Sequence, residues 1–325
     1  MKLQILIPQY KETDEIIKPL LDSIAIQQNI NFKDIGVIIV NDGSNIKLSN
    51  NFLRQYPFKI NYYQNKHGGV SATRNKCLEY ANADYVMFCD ADDMFYNACG
   101  LYIVFREINN GGFDALVSVF IEETKNPFTQ SVEYINHEMD STFVHGKVYN
   151  RKFLIKNQIK FNPKLTIHED SYFNCLAQKC AEEIKYSQSS FYLWKWRDDS
   201  VCRHDPKYIL KTYNNMLDSS TELVKELIKR DKKADAQFYA VSMIYDAYFT
   251  MNKNEWINQK NKQYRFNTEK RFKKYYLEFK KLFESIDPGI KAQIIMAIKN
   301  RMYQEGLLME SITFDDWIKH VEKDF

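Results

Sequence analysis

The sequence predicts an α/β chain in which a mostly parallel sheet flanked by helices is followed by an all-helical C-terminal region. Three observations carry this. Short apolar segments alternate with helix-length segments over the first 120 residues. Those apolar segments are continuous rather than alternating, as in strands covered on both faces, and strands spaced by helices make parallel βαβ units. After Pro206 the character changes to nearly unbroken helical periodicity, so a boundary near residue 205 divides the chain into 1–205 and 206–325.

The elements follow in order. "LQILIP" (3–8) is the first expected strand, ended by Pro8. Over 12–28, Ile16, Ile17, Leu20, Leu21, Ile24 and Ile26 recur near helical spacing. "IGVIIV" (35–40) is a β-branched run that "NDGS" breaks. A third strand is expected over 59–65, a helix over 70–82 after the Gly68–Gly69 turn, and a fourth strand over 84–90. Residues 100–109 read as helix and 114–123 as strand. From 125 to 200 the pattern is less regular: 143–157 reads as a strand and short helix, 168–181 as a helix opening on acids, 191–196 as a strand. Helices are expected over 206–230, 233–251, 265–286 and 290–304, with "DPG" (287–289) as a break.

Bulk properties exclude several classes. At 45% hydrophobic and 15% aromatic, the chain has ample material for a core and is not disordered. A net charge of +3 makes no global demand for a nucleic-acid partner. Six cysteines without a CxxC pair suggest reduced thiols rather than disulfide staples or a zinc knuckle. Residues 1–10 are too short and too soon broken by Pro8 for a signal peptide, and no apolar run approaches the roughly 20 residues that span a bilayer. The expected location is cytoplasmic, with peripheral attachment at the inner membrane face left open.

Polar clusters fall where the expected strands end, the edge at which open parallel sheets bind ligands. "YVMFCDADD" (85–93) runs an apolar strand into Asp90, Asp92 and Asp93. Such a group reads either as a solvated turn or as a site for Mg²⁺ or Mn²⁺ with phosphate completing the shell. Asp42 in "VNDGS" reads either as an Asx turn or as an acceptor for a base N–H or ribose hydroxyl. In "NKHGGVSATRNKCLEYA" (65–81), Ser71 could cap the helix, while Arg74 and Asn75 lie one turn into it. A guanidinium there could stack on a base or contact phosphate; surface arginine is the alternative. Glu169 and Asp170 open the helix at 168–181, where acids favour the helix dipole or where one could serve as a general base.

Taken in order, these pieces resemble family 2 glycosyltransferases of the GT-A fold over roughly residues 1–205. That family's Pro-x-Tyr/Phe turn is matched by Pro8 and Tyr10, its D-D-G-S turn by "NDGS", its N-x-G-x-x-x-A-R-N stretch by "NKHGGVSATRN", and its D-x-D by Asp90-Ala91-Asp92. The resemblance implies that Pro8, Tyr10, Asp42, Asn65 and Arg74 hold the nucleotide base. Asp90 would lie near the ribose, Ala91 would be a further donor contact, and Asp92 would sit on the metal, Mn²⁺ or Mg²⁺. Glu169 and Asp170 match the family's E-D pair, whose Asp is the base in inverting members. "WRDDSVCRH" resembles its late loop, so Arg197, Ser200 and Arg203 would close over the diphosphate and His204 would add a metal contact. Asn41 departs from the family, which usually carries an acid there.

These roles imply an inverting transfer of a hexosyl or N-acetylhexosaminyl group from a UDP-sugar to a hydroxyl, with a non-catalytic nucleotide-sugar-binding protein as the other class. The layout, a transferase core plus a helical appendage, is similar to enzymes that decorate wall teichoic acid or capsular polymers, so a glycopolymer or lipid-linked acceptor is expected. Residues 253–281 hold ten Lys or Arg against three acids, beside an aromatic stripe of Phe272, Tyr275, Tyr276, Phe279 and Phe283. The stripe reads as packing, as membrane-surface contact through 253–283, or as a grip on nucleic acid with a modified DNA base as acceptor. A homo-oligomer contact is a further reading of this region.

Overall fold

Four parallel strands frame the computed structural model of the chain: β1 (Leu3–Gln9), β2 (Ile35–Asn41), β3 (Lys59–Gln64) and β4 (Tyr85–Phe88), in the order β3-β2-β1-β4. The structure describes residues 1–126, 128–198, 208–304 and 312–324. The chain forms two units, Met1–His204 and Asp205–Phe325.

In the first unit the sheet continues through β5 (Met94–Phe95), β6 (Ala115–Lys125), β7 (Val132–His137), β8 (Lys147–Asn150) and β9 (Ile184–Trp194). Beyond β4 the pairing is mixed: β8 runs antiparallel to β4 and β6, β6 is parallel to β9, and β5 and β7 are antiparallel edge partners. The helices are α1 (Asp14–Ala25), α2 (Asn50–Leu53), α3 (Gly69–Tyr80), α4 (Gly100–Asn109), α5 (Arg151–Lys156) and α6 (Glu169–Cys180). The continuous apolar runs of β1 and β2 are buried because α1 and α4 contribute to the core on the same strands that α3 crosses.

Pro8 lies inside β1 and does not end it. The carbonyl of Leu6 accepts the Cys89 N–H, so Pro8, two residues on, also turns toward β4. There β4 has already stopped at Phe88, level with Leu6, and the missing proline N–H leaves no ladder bond unmade. Two strands went unpredicted. Val132–His137 is exposed over nearly its whole length and carries no apolar alternation, and Met94–Phe95 is too short to have a period. The polar half of β9, Ile184–Ser190, hid that strand's start for the same reason.

The second unit comprises α7 (Tyr208–Lys229), α8 (Lys233–Met251), α9 (Asn254–Ile257), α10 (Lys262–Glu284), α11 (Pro288–Gln304) and α12 (Phe314–Asp324). "DPG" is the start of α11: Asp287 accepts the N–H groups of Gly289 and Ile290, and Pro288 stands first in the helix, where its lack of an N–H is harmless. Along α10, Phe272, Tyr276, Phe279 and Phe283 are buried, with Phe272 5.2 Å from Trp317 and Phe283 5.7 Å from Phe314. The basic flank is partly paired inside the unit, Arg271 with Asp218, Lys280 with Glu322 and Arg265 with Glu269. These four rings of the stripe are therefore core, while Tyr275 is half-buried and donates its hydroxyl to Asp218. Among the described residues no helix is long and apolar enough to cross a membrane.

Replacing a fully buried ring leaves a cavity, so Phe272→Ala should lower stability by about 3–5 kcal/mol in urea denaturation. An unchanged midpoint would mean that the stripe is not packed.

Candidate functional site

The carboxyl ends of β1, β2 and β4 open onto a cleft of about 330 Å³ lined by Pro8, Tyr10, Asp42, Arg74, Asp90, Ala91 and Asp92. Arg197 reaches its rim through Asp92, donating from Nη1 to Oδ2 at 2.8 Å. Asn65 is not part of the lining; its carboxamide oxygen accepts from the Tyr80 hydroxyl at 3.3 Å. Ser200, Arg203 and His204 lie outside the described residues. The cleft also includes Gln9, Glu12, His67 and Thr73, which sequence reasoning missed. His67 could have been found: it stands inside "NKHGG", and its ring stacks on Tyr10 with centroids 5.0 Å apart.

The turn after β2 explains its own residues. Asp42 accepts the N–H groups of Gly68 and Gly69 at 2.8 and 2.9 Å, and its carboxylate also meets His67 Nδ1 at 2.9 Å. It thus caps the α3 N-terminus, where a negative charge is favoured. Ser71 does not serve as that cap: its hydroxyl donates to the Leu165 carbonyl. Gly43 has φ +75°, and a Cβ there would lie 2.4 Å from the His67 backbone nitrogen. Asn41 is fully buried, donating to the Ile46 carbonyl at 2.7 Å and accepting the Ser44 N–H at 2.8 Å. An ionised acid could accept but not donate, which accounts for the amide at this position.

Arg74 is the inner counter-charge. Buried over the Phe161 ring, its guanidinium donates to Asp90 at 2.8 Å and to Glu169 at 2.8 Å. Two of its donors are thus engaged by carboxylates, while its Nε has no hydrogen-bond partner and the side chain still lines the cleft. Asn75 turns away from the cleft and holds the backbone of Phe161 through both ends of its amide.

Charge is distributed unevenly over the acids. Burial alone would raise the Asp90 carboxyl, but Arg74 holds it below the usual carboxylate range. Asp92 stands above that range because burial and the neighbouring Asp90 charge outweigh Arg197. The turn into α6 is made by His168 in the left-handed region, φ 63°, a strained conformation for a side-chain-bearing residue. It starts the helix on Glu169 and Asp170. Burial, then the Glu169 charge, push Asp170 up to about 7, with Arg74 offsetting only part.

Residues 4–173 match the sequence pattern of glycosyl transferase family 2. The chain belongs to that family. It is 25% identical over 239 residues to the minor teichoic acid biosynthesis protein GgaB of Bacillus subtilis, covering 68% of this chain and 26% of GgaB. It is 24% identical over 211 residues to the poly(ribitol-phosphate) beta-N-acetylglucosaminyltransferase TarS of Staphylococcus aureus, covering 60% of this chain and 35% of TarS. The chain thus spans about a quarter to a third of the length of these two relatives. The fold is that of S. aureus TarS 1–349, solved in complex with UDP-GlcNAc: TM-score 0.64 at 18% identity, covering 97% of this chain and 95% of that one. The GT-A-type architecture of this family 2 chain is thereby shared with TarS.

Removing one partner of a buried ion network leaves uncompensated charge. Arg74→Met should therefore lower stability by about 3–5 kcal/mol at neutral pH. The deficit relative to wild type should shrink as pH falls into the carboxylate range, since protonation relieves Asp90 once Arg74 is gone. Denaturation at several pH values reads both effects; a deficit that grows on acidification would contradict this role.

Proposed function

We propose that the chain transfers a hexosyl or N-acetylhexosaminyl group, with inversion and with help from a divalent cation, from a UDP-sugar to a hydroxyl of a cell-surface glycopolymer such as a teichoic acid or polysaccharide. The observation that carries this reading is the poise of Asp170. Asp170 does not itself line the cleft, but it feels the charges of Arg74 and Asp90, which do, and a carboxyl raised to about 7 there is matched to accepting a proton at physiological pH. Family membership supports sugar transfer, and the names of GgaB and TarS support the acceptor class. The TarS complex with UDP-GlcNAc supports the donor.

In this reading the base stacks in the Tyr10–His67 corner, with Pro8, Asp42 and Ala91 along its path and Asp90 at the ribose. Asp92 is the residue to hold Mn²⁺ or Mg²⁺. It suits a hard cation because its turn is short of positive charge even with Arg197 present. When bound, the ion would offset negative charge on the diphosphate. Arg197, bonded to Asp92, meets the same charge from beside it. Asp170 takes the acceptor proton as the hydroxyl oxygen attacks the anomeric carbon and the bond to the diphosphate oxygen breaks, while Glu169 keeps Arg74 in line behind it. Ser200, Arg203 and His204 belong to the same proposal as further contacts of the diphosphate and cation.

Incubation with labelled UDP-, GDP- and TDP-sugars, with and without Mn²⁺, against teichoic acids, polysaccharides and DNA tests donor and acceptor together. Label should pass from a UDP-sugar to a glycopolymer, and the product NMR spectrum should show the inverted anomer. Asp170→Asn should lower kcat by about 10²–10⁴-fold while leaving UDP affinity unchanged. Because the base acts in its ionised form, kcat/KM should rise with pH through about 7 and then level off. A profile flat across that range would remove Asp170 from the role.

A further inference from the structure

We propose that Asp93 is a positioning residue that latches the acidic turn onto the segment carrying Arg197, and so sets the grip of Arg197 on the donor diphosphate. The second half of this statement rests on the reading of the cleft as a UDP-sugar site.

The three acids after β4 divide by direction. Asp90 meets Arg74 and Asp92 meets Arg197 at the cleft, whereas Asp93 points inward and is 1% exposed. Its Oδ2 accepts the Tyr192 hydroxyl at 2.5 Å and its Oδ1 accepts the Lys195 N–H at 3.0 Å. The same Tyr192 oxygen accepts the Asp90 N–H at 3.1 Å. One phenol and one carboxylate thus stitch both ends of the acidic turn to the end of β9 and the residue after it. The next amide, Trp196 N–H, donates to Glu123 Oε1 at 3.2 Å, and Asp198 accepts from Lys125 at 2.8 Å. Arg197 is held between these anchors and delivered to Asp92.

Burying a carboxylate beside two others is unfavourable, and closing a turn does not require it. The penalty is offset where the group fixes two elements through donors that nothing else satisfies. His145 completes the arrangement: it is 3% exposed, stacks on Tyr192 with centroids 4.8 Å apart, and carries Nδ1 3.8 Å from Asp93 Oδ2 without a hydrogen-bond partner. Asp90, Asp93 and His145 also bring one ligand atom each within 4.8 Å of one another. Asp93 has both oxygens engaged by Tyr192 and Lys195, and Asp90 is held by Arg74, so the geometry favours the latch over a cation.

Two measurements on the full chain test this. Without nucleotide, hydrogen exchange over 192–198 should quicken in Asp93→Ala, and less so in Asp93→Asn, which keeps an acceptor for the Lys195 amide; unchanged exchange overturns the latch. By calorimetry, Asp93→Ala should weaken UDP binding about tenfold, and the double variant with Arg197→Ala should bind no more weakly than Arg197→Ala alone. Additive losses would show that Asp93 acts independently of Arg197 and would overturn the coupling. Should Asp93→Ala fail to fold, Tyr192→Phe removes one bond of the latch and carries the same two expectations. Loss of Mn²⁺ binding in both Asp93→Asn and His145→Gln, read by electron paramagnetic resonance, would make the cluster a metal site and overturn the proposal. A wild-type chain that binds no UDP would sink the donor reading alone, leaving hydrogen exchange to judge the latch.

Discussion

The pair of bonds from Arg74 to Asp90 and Glu169 is the constraint on which the rest of the site depends. Asp90 ends a strand of the parallel sheet, and Glu169 begins a helix almost eighty residues later. A planar guanidinium with several donors can serve both carboxylates at once, and it holds Asp90 below the usual carboxylate range. Its position follows from α3, whose N-terminus is held by Asp42 at the end of β2. A chain of charges therefore runs through the interior: Asp42 fixes α3, α3 fixes Arg74, and Arg74 ties Asp90 at the cleft to Glu169 behind it. Asp170 is left with more burial than counter-charge, and that imbalance is what raises it.

Much of this was legible in the sequence. The continuous apolar runs, the breaks on Asp and Gly and the change of character after residue 205 carry strong local signals. The helix over 100–109 matches α4 at both ends, and the polar clusters at the ends of β1, β2 and β4 share one sheet edge, as the strand order implies. What the sequence could not carry was direction. Arg74 looks the same on paper whether it faces a ligand or two buried acids, and Ser71 the same whether it caps a helix or donates across to Leu165. Strands exposed on both sides, such as Val132–His137, leave no apolar period to detect. Pairings across long stretches of chain, such as Tyr192 with Asp93, depend on the register between β5 and β9 and are invisible locally.

The helical unit shows the same rule from the other side. A basic, aromatic segment admitted three readings, and burial of Phe272, Tyr276, Phe279 and Phe283 assigns its stripe to the core. The periodicity was correct; what faced it was a neighbouring helix. Charge enrichment on one flank is then explained in part by Glu269 one turn along α10 and by acids on α7 and α12 that the linear sequence keeps far away.

The early stop of β4 leaves a step in the floor of the sheet, and Pro8 seals the exposed side of β1 against pairing there. That step is made of main chain. Replacing side chains around the cleft can alter what rests in it, but the depth at which the acidic turn sits is inherited from strand register, which no surface substitution resets. The recess can therefore be re-lined while its floor stays where it is.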